Sequence, residues 1–174
     1  AIEERIIYED SIIDVPRTLT LAKHTISEAH DRAAGEDSFY TVSEILEQSL
    51  NVGVSMIAQK LGEERLYSYI KSFGFGERTD IEFPGEVRGL LRAPNQWSKL
   101  DIAMFSFGQG LAVTPLQLIT GMTVLANNGY LIKPRIISYK TQQNGHVVKG
   151  NPKTYRKKVL SKETVEALKR IMTR

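Results

Sequence analysis

The sequence predicts an α+β fold, rich in helix, with its strands gathered late in the chain. Three observations predict it. Two S/T-x-x-E/Q capping boxes, Thr41-Val42-Ser43-Glu44 and Thr114-Pro115-Leu116-Gln117, each stand at the head of a helix-like run. Between them, apolar residues recur at helical spacing in segments that stop at Gly62 and Gly74. Beyond Gly129 the pattern changes, and "YLIKPRIISYK" and "HVVKG" are strand-like runs joined through an Asn144-Gly145 turn.

Taken in order, residues 1–40 carry short β-branched runs (Ile6, Ile7, Ile12, Ile13, Val15) and then the polar stretch "SEAHDRAAGEDS". They form an irregular lead-in with room for a short strand or hairpin. Residues 41–130 make a helical subdomain. The Thr41 hydroxyl can accept from the Glu44 N–H while the Glu44 carboxylate reaches back, which starts a helix that runs to about Gln48. Val52, Met56, Ile57 and Leu61 then form one apolar face of a second helix, closed by Gly62. "EERLYSYIKSFGFG" is a third helix with Leu66, Ile70 and Phe73 inward. "TDIEFPGEVRGLLRAPNQWSKLD" contains two prolines and two glycines, so it is predicted as an extended, loop-rich connection. Thr114, with Pro115 at the first helical position and Gln117 at the third, opens an apolar helix that ends at Asn127-Asn128-Gly129. Residues 131–150 are predicted as a β-hairpin. Residues 151–174 are predicted as a basic loop and a C-terminal helix, capped by Ser161, with Val165, Leu168 and Ile171 inside. The whole, 1–174, is predicted as a single partial domain.

Bulk properties narrow the classes. The 174 residues suffice for one domain, and 41% hydrophobic with 25% charged residues is a globular composition. The net charge of +3 is spread along the chain, and the compact basic run Arg156-Lys157-Lys158 is read as a solvated edge, not a nucleic-acid site. With no cysteine there is no disulfide, thiol chemistry or thiolate metal ligand. No apolar run is long enough to span a bilayer. His24, His30 and His146 lack metal-ligand spacing, and neither a dinucleotide fingerprint nor a P-loop occurs, so no metal and no cofactor is expected. The opening "AIEERIIYED" and the closing "KRIMTR" suggest the interior of a longer protein.

Three short patterns could carry chemistry. Ser49-Leu50-Asn51 puts a hydroxyl and an amide two residues apart between the first two helices. On residue types alone it is a joint in which Ser49 ends one helix and Asn51 caps the next. Ser68-Tyr69-Ile70-Lys71 matches S-x-x-K, where a lysine one turn away can take a serine proton. It lies inside an amphipathic helix whose Tyr67 and Ile70 do ordinary packing. Lys140-Thr141 begins K-T-G, but Gln142 places a side chain where a substrate must approach the strand.

The surroundings of Ser49 add a resemblance. "SLNVGVSMIAQKLG", "FGFG", "FPGE", "FGQGLAVTPLQL" and "LANNG", in this order, resemble the transpeptidase domain of class B penicillin-binding proteins. The likeness is strong from Thr41 to about Ile137 and looser on both flanks. It implies a serine D,D-transpeptidase that cross-links peptidoglycan stem peptides through an acyl-enzyme. In that family S-x-x-K, S-x-N and K-[ST]-G motifs meet in one cleft. Ser49 matches the S-x-N serine, which relays protons. Asn51 matches the asparagine whose amide holds the carbonyl of the substrate or β-lactam. A relay needs a hydroxyl within hydrogen-bond reach, and a neutral amide orients without adding charge.

The departures matter as much. No S-x-x-K precedes Ser49, Ser68–Lys71 lies on the wrong side of it, and no K-[ST]-G follows the last helix. The expected fold is therefore a partial penicillin-binding transpeptidase fold lacking the nucleophile helix and the K-[ST]-G strand, and inactive by itself. The implied partners, through the parent enzyme, are D-Ala-D-Ala stem peptides and β-lactams, with no nucleic acid. The implied location is the outer face of the cytoplasmic membrane, with the anchor outside this chain. Faces left uncovered suggest a homo-oligomer or a segment swap. The alternatives are the transpeptidase region of a bifunctional class A penicillin-binding protein, a non-catalytic β-lactam sensor or scaffold, and a basic helical module that binds polyanions.

Overall fold

The computed structural model describes residues 1–29, 38–149 and 155–173. Its backbone contacts divide the chain into two compact units, one made of residues 1–68, 92–111 and 163–174, the other of 69–91 and 112–162.

In the first unit, the lead-in is more regular than its composition suggests. Strand β1 (Ile12–Asp14) pairs antiparallel with β4 (Phe39–Thr41), Ile13 opposite Tyr40. Strands β2 (Thr18–Leu21) and β3 (His24–Ser27) form a hairpin with Leu21 opposite His24. Its two-residue turn, Ala22-Lys23, carries no Gly or Asn to announce it, although Ala22 takes a left-handed φ of 54°. Strand β4 runs directly into α1 (Val42–Glu47), and the capping box forms as its residues dictate. The Glu44 N–H donates to the Thr41 hydroxyl (3.2 Å) and the Thr41 N–H to the Glu44 carboxylate (2.7 Å).

Helix α2 (Asn51–Leu61) closes at Gly62 and buries Val52, Gly53, Ser55, Ala58 and Leu61. Val52 and Leu61 of the predicted stripe are buried, but the face between them is made of the small residues Gly53, Ser55 and Ala58, and Met56 and Ile57 sit half-buried at its margin. The middle of the predicted stripe is corrected in this way, and the reason is the closeness of the neighbours. Ser55 meets Ser106 at 3.5 Å on α4 (Lys99–Ser106), a spacing that bulky side chains would prevent. Helix α4 begins inside the predicted connection and runs on through residues for which no element was predicted. Ser98-Lys99-Leu100-Asp101 is a capping box with Asp instead of Glu or Gln at the third position, and both of its hydrogen bonds form. Trp97 stacks at 4.4 Å against Phe105 and meets Tyr67 edge-on. The core of this unit gathers Val15, Leu21, Ile26, Ile45, Leu50, Val52 and Ala103. Helix α6 (Lys162–Met172) buries Thr164, Val165, Ala167 and Ile171, with Leu168 half-buried.

Helix α3 (Glu63–Ser72) carries the chain from the first unit into the second; Leu66 and Ile70 on it, and Phe73 just beyond, are half-buried, not fully inward. In the second unit α5 (Pro115–Ala126) starts at the Thr114 box as predicted. The predicted β-hairpin is half right. Strands β6 (Tyr139–Thr141) and β7 (Val147–Lys149) pair across the Gln142–Gly145 turn, but β5 (Tyr130–Ile132) leaves this ribbon to pair with β8 (Tyr155–Lys158). Pro134, which has no N–H to donate, lies between β5 and β6 and helps to explain the break. The basic "loop" Arg156-Lys157-Lys158 is therefore a strand, with the Lys157 ammonium 2.9 Å from the Ser72 hydroxyl. Charged residues on so short a ribbon suit an exposed edge. Gly129 has no tolerable substitute, because a Cβ there would lie 2.0 Å from the Leu160 carbonyl oxygen.

Candidate functional site

The segment Ser49-Leu50-Asn51 lies in the first unit, and its central residue explains its shape. Leu50 is buried in the core with Ile45 and Val52, so the two polar residues beside it are held near the surface. The chain reverses tightly to allow this. The Ser49 N–H donates to Leu46 O (3.2 Å), the Leu50 N–H to Ile45 O (2.9 Å), and Ser49 adopts φ 54° with its side chain exposed. A non-glycine residue in the left-handed region is uncommon and is held there by its surroundings.

The simple helix-joint reading is corrected here. Leu50, not Asn51, is the N-cap of α2, and no side chain of the cap residue accepts a helix N–H. Asn51 is the first helical residue, and its Nδ2 donates to the Ser27 carbonyl at the end of β3, 3.2 Å away. A carbonyl can only accept, so this contact fixes which end of the amide faces Ser27. The missing cap is supplied from 24 residues upstream: the Val52 N–H donates to both carboxylate oxygens of Glu28, each at 3.3 Å. Nothing in "SEAHDRAAGEDS" announces that role. Only the pairing of β3 brings it to α2.

Two further contacts lock the segment. A Cβ on Gly53 would lie 2.7 Å from Ile45 Cγ2, so glycine lets α1 and α2 approach one another. The Ser55 hydroxyl donates to the Asn51 carbonyl (2.7 Å) and lies beside Ser106, whose own hydroxyl donates to Ala103 O (2.6 Å). Capping carboxylates anchor the flanking helices. The Thr41 backbone N–H, then its hydroxyl, holds the Glu44 carboxyl below the usual range. The Ser98 N–H and hydroxyl do the same for Asp101, helped by Arg92. The arrangement presents an exposed hydroxyl and an oriented amide on a rigid seat. It can relay a proton and hold a carbonyl.

The rival patterns carry less. Ser68 is exposed on α3, and the Lys71 ammonium is engaged by the Glu77 carboxylate at 3.0 Å. Lys140-Thr141 lies exposed on β6, and the Gln142 N–H that follows donates across the ribbon to the His146 carbonyl (2.8 Å). His24 and His146 are exposed, and His30 lies outside the described residues. Among the described residues no cluster of three or more metal-capable side chains occurs, and no helix is long and apolar enough to cross a membrane.

The sequence profile of the penicillin binding protein transpeptidase domain matches residues 1–174. The chain belongs to that family. It is part of a class B transpeptidase domain, as the ordered segments around Ser49 imply. Penicillin-binding protein PbpB of Mycolicibacterium smegmatis is 34% identical over 170 residues, which cover 97% of this chain and 26% of that protein. Stage V sporulation protein D of Bacillus subtilis is 32% identical over 136 residues, 78% of this chain and 21% of that one. Penicillin binding protein 3 of Mycobacterium tuberculosis, solved with aztreonam, superposes with a TM-score of 0.88 at 30% identity, covering 98% of this chain and 37% of that structure. A peptidoglycan synthetase from Bifidobacterium adolescentis gives 0.89, also at 30%, over 98% of this chain and 31% of that one. The chain thus spans about a quarter of the length of the curated relatives it matches. The helix-rich α+β fold is the fold of the penicillin-binding transpeptidases.

Proposed function

We propose that this chain is the segment of a peptidoglycan D,D-transpeptidase that brings Ser49 and Asn51 to the acyl-transfer cleft. The observation that carries the reading is the seat of the pair: Ser49 exposed and Asn51 with a fixed amide, on either side of the buried Leu50. The reaction runs in two steps. A serine hydroxyl attacks the penultimate D-Ala carbonyl and D-Ala leaves with a proton. An amine of a second stem peptide then displaces the serine, which recovers its proton. Ser49 relays the proton, and the Asn51 amide holds the acyl-amide carbonyl. Relatives named peptidoglycan D,D-transpeptidase support the reaction, and M. tuberculosis structures with aztreonam and ampicillin support β-lactams as ligands. The enzyme works at the outer face of the cytoplasmic membrane, anchored by a segment outside this chain.

The 174 residues hold no S-x-x-K before Ser49 and no K-[ST]-G. By themselves they are inactive. A fluorescent penicillin should label the full-length protein and leave the 174-residue chain unlabelled; an adduct on Ser68 of the short chain would overturn both the inactivity and our reading of that serine. In the full-length protein Ser49→Ala should slow acylation and leave the fold nearly intact. An unchanged rate removes Ser49 from the mechanism.

The isolated chain self-associates through α5. Leu118, Ile119 and Met122 are 51%, 67% and 49% exposed, whereas Gln117, Thr120, Gly121 and Val124 face inward. Such an apolar patch is seldom left in water. Light scattering should show a mass that rises with concentration, and a monomer throughout would contradict this.

A further inference from the structure

We infer that Glu28 is a positioning residue for the acyl-transfer cleft, acting through Asn51. The inference rests on the reading of Asn51 given above. Residues Ser27 and Glu28, at the end of β3, grip successive residues at the start of α2. The Ser27 carbonyl takes one N–H of the Asn51 amide, and the Glu28 carboxylate takes the Val52 N–H. The two grips serve different ends. The Val52 N–H, in the first turn of α2, finds no acceptor in the helix's cap residue, so without Glu28 it would lose its partner and the first turn would fray. Asn51 lies in that turn. If the turn frays, the Ser27 contact no longer fixes the amide, and the carbonyl that Asn51 must hold loses an oriented donor.

The rest of the seat does not hold that turn alone. Leu50 anchors the joint from below and Ser55 ties the Asn51 carbonyl, but neither sets the rotation of the Asn51 side chain. That rotation depends on the distance between β3 and the start of α2, which the Glu28 carboxylate spans. Among the described residues Ser27 O is the one hydrogen-bond partner of the Asn51 amide, so its Oδ1 and second N–H are left for a ligand. The irregular lead-in thus contributes a supporting group for the cleft.

The test uses the full-length protein and a fluorescent penicillin, with wild type, Glu28→Ala, Glu28→Gln, Asn51→Ala and the Glu28→Ala/Asn51→Ala double variant. Glu28→Ala should lower the acylation rate constant about tenfold, because misplacing a binding group costs rate even when the group is still present. Glu28→Gln keeps an acceptor of the same length and should stay within about threefold of wild type. In the Asn51→Ala background, Glu28→Ala should cause no further loss of rate. A residue that merely stabilised the fold would lower the rate by the same factor in both backgrounds. Wild-type rates in Glu28→Ala, or multiplicative losses in the double variant, overturn the inference. If Glu28→Ala does not fold, Glu28→Asp, one methylene short, replaces it: slower than Glu28→Gln is the supporting result, and equal rates overturn the inference. If wild type is not acylated at all, the proposed function fails, which is a separate outcome.

Discussion

At the scale of single residues, two side chains show how local chemistry fixes the joint. Ser49 sits at φ 54°, a region that penalises a branched Cβ. Ser49→Val should therefore cost about 1–2 kcal/mol in urea unfolding, whereas Ser49→Gly should be neutral or slightly stabilising. Equal stability for both would show that the backbone relaxes out of this conformation. Asp101 gives a pH-dependent case. Its carboxyl is held low by the Ser98 N–H and hydroxyl and by Arg92, so the charged form is the one the fold favours. A carboxylate with a lowered folded pKa contributes stability above the ordinary aspartate range and loses it as the pH falls through its folded value. Asp101→Asn should thus be less stable than wild type near neutral pH, by about 1 kcal/mol from the weakened cap. That gap should narrow only below about pH 4. A gap constant down to the acid transition would mean that the charge of Asp101 adds nothing.

At the scale of elements, close approach and buried hydrogen bonds decide the packing. Gly53→Ala would push a methyl into Ile45, whose Cγ2 is 2.7 Å from the site, and should cost about 1–3 kcal/mol by thermal or urea unfolding. Gln117 is 1% exposed and does three jobs: it takes the Thr114 N–H and donates to the Glu77 and Arg88 carbonyls. Gln117→Ala should cost about 2–4 kcal/mol, since buried groups lose their partners. Gln117→Glu should cost no less near neutral pH, because a carboxylate cannot donate to either carbonyl. A loss under 1 kcal/mol in either variant would mean that water replaces the clamp. What was legible from sequence follows the same division. The Thr41 and Thr114 boxes, the Gly62 stop and the Asn144-Gly145 turn are local signals, and they appear where their residues place them. Helix α4 was missed because its box ends in Asp101. The β5–β8 pair was missed because its partners are distant in sequence and β8 carries Arg156, Lys157 and Lys158 instead of an apolar alternation. In the candidate site, Ser49 and Asn51 stand out by spacing within a resemblance. Glu28 was invisible, since its contact spans 24 residues and exists only once β3 lies beside α2.

At the scale of the whole molecule, the two units carry different features. The first holds the Ser49–Asn51 seat between β3, α1 and α4 on a continuous apolar core. The second holds α5, whose outward leucine, isoleucine and methionine reverse the usual amphipathic order. Ile119→Glu combined with Met122→Lys should keep the 174-residue chain monomeric in light scattering; continued association would locate the contact elsewhere. The role of Asn51 in the first unit is read most simply from the acylation rate constant of the full-length protein with a fluorescent penicillin, compared between wild type and Asn51→Ala. Asn51→Ala should lose on the order of a hundredfold in rate, as for removal of an oriented donor at a reacting carbonyl, with the unfolding midpoint nearly unchanged. An Asn51→Ala protein that reacts at the wild-type rate would contradict that role.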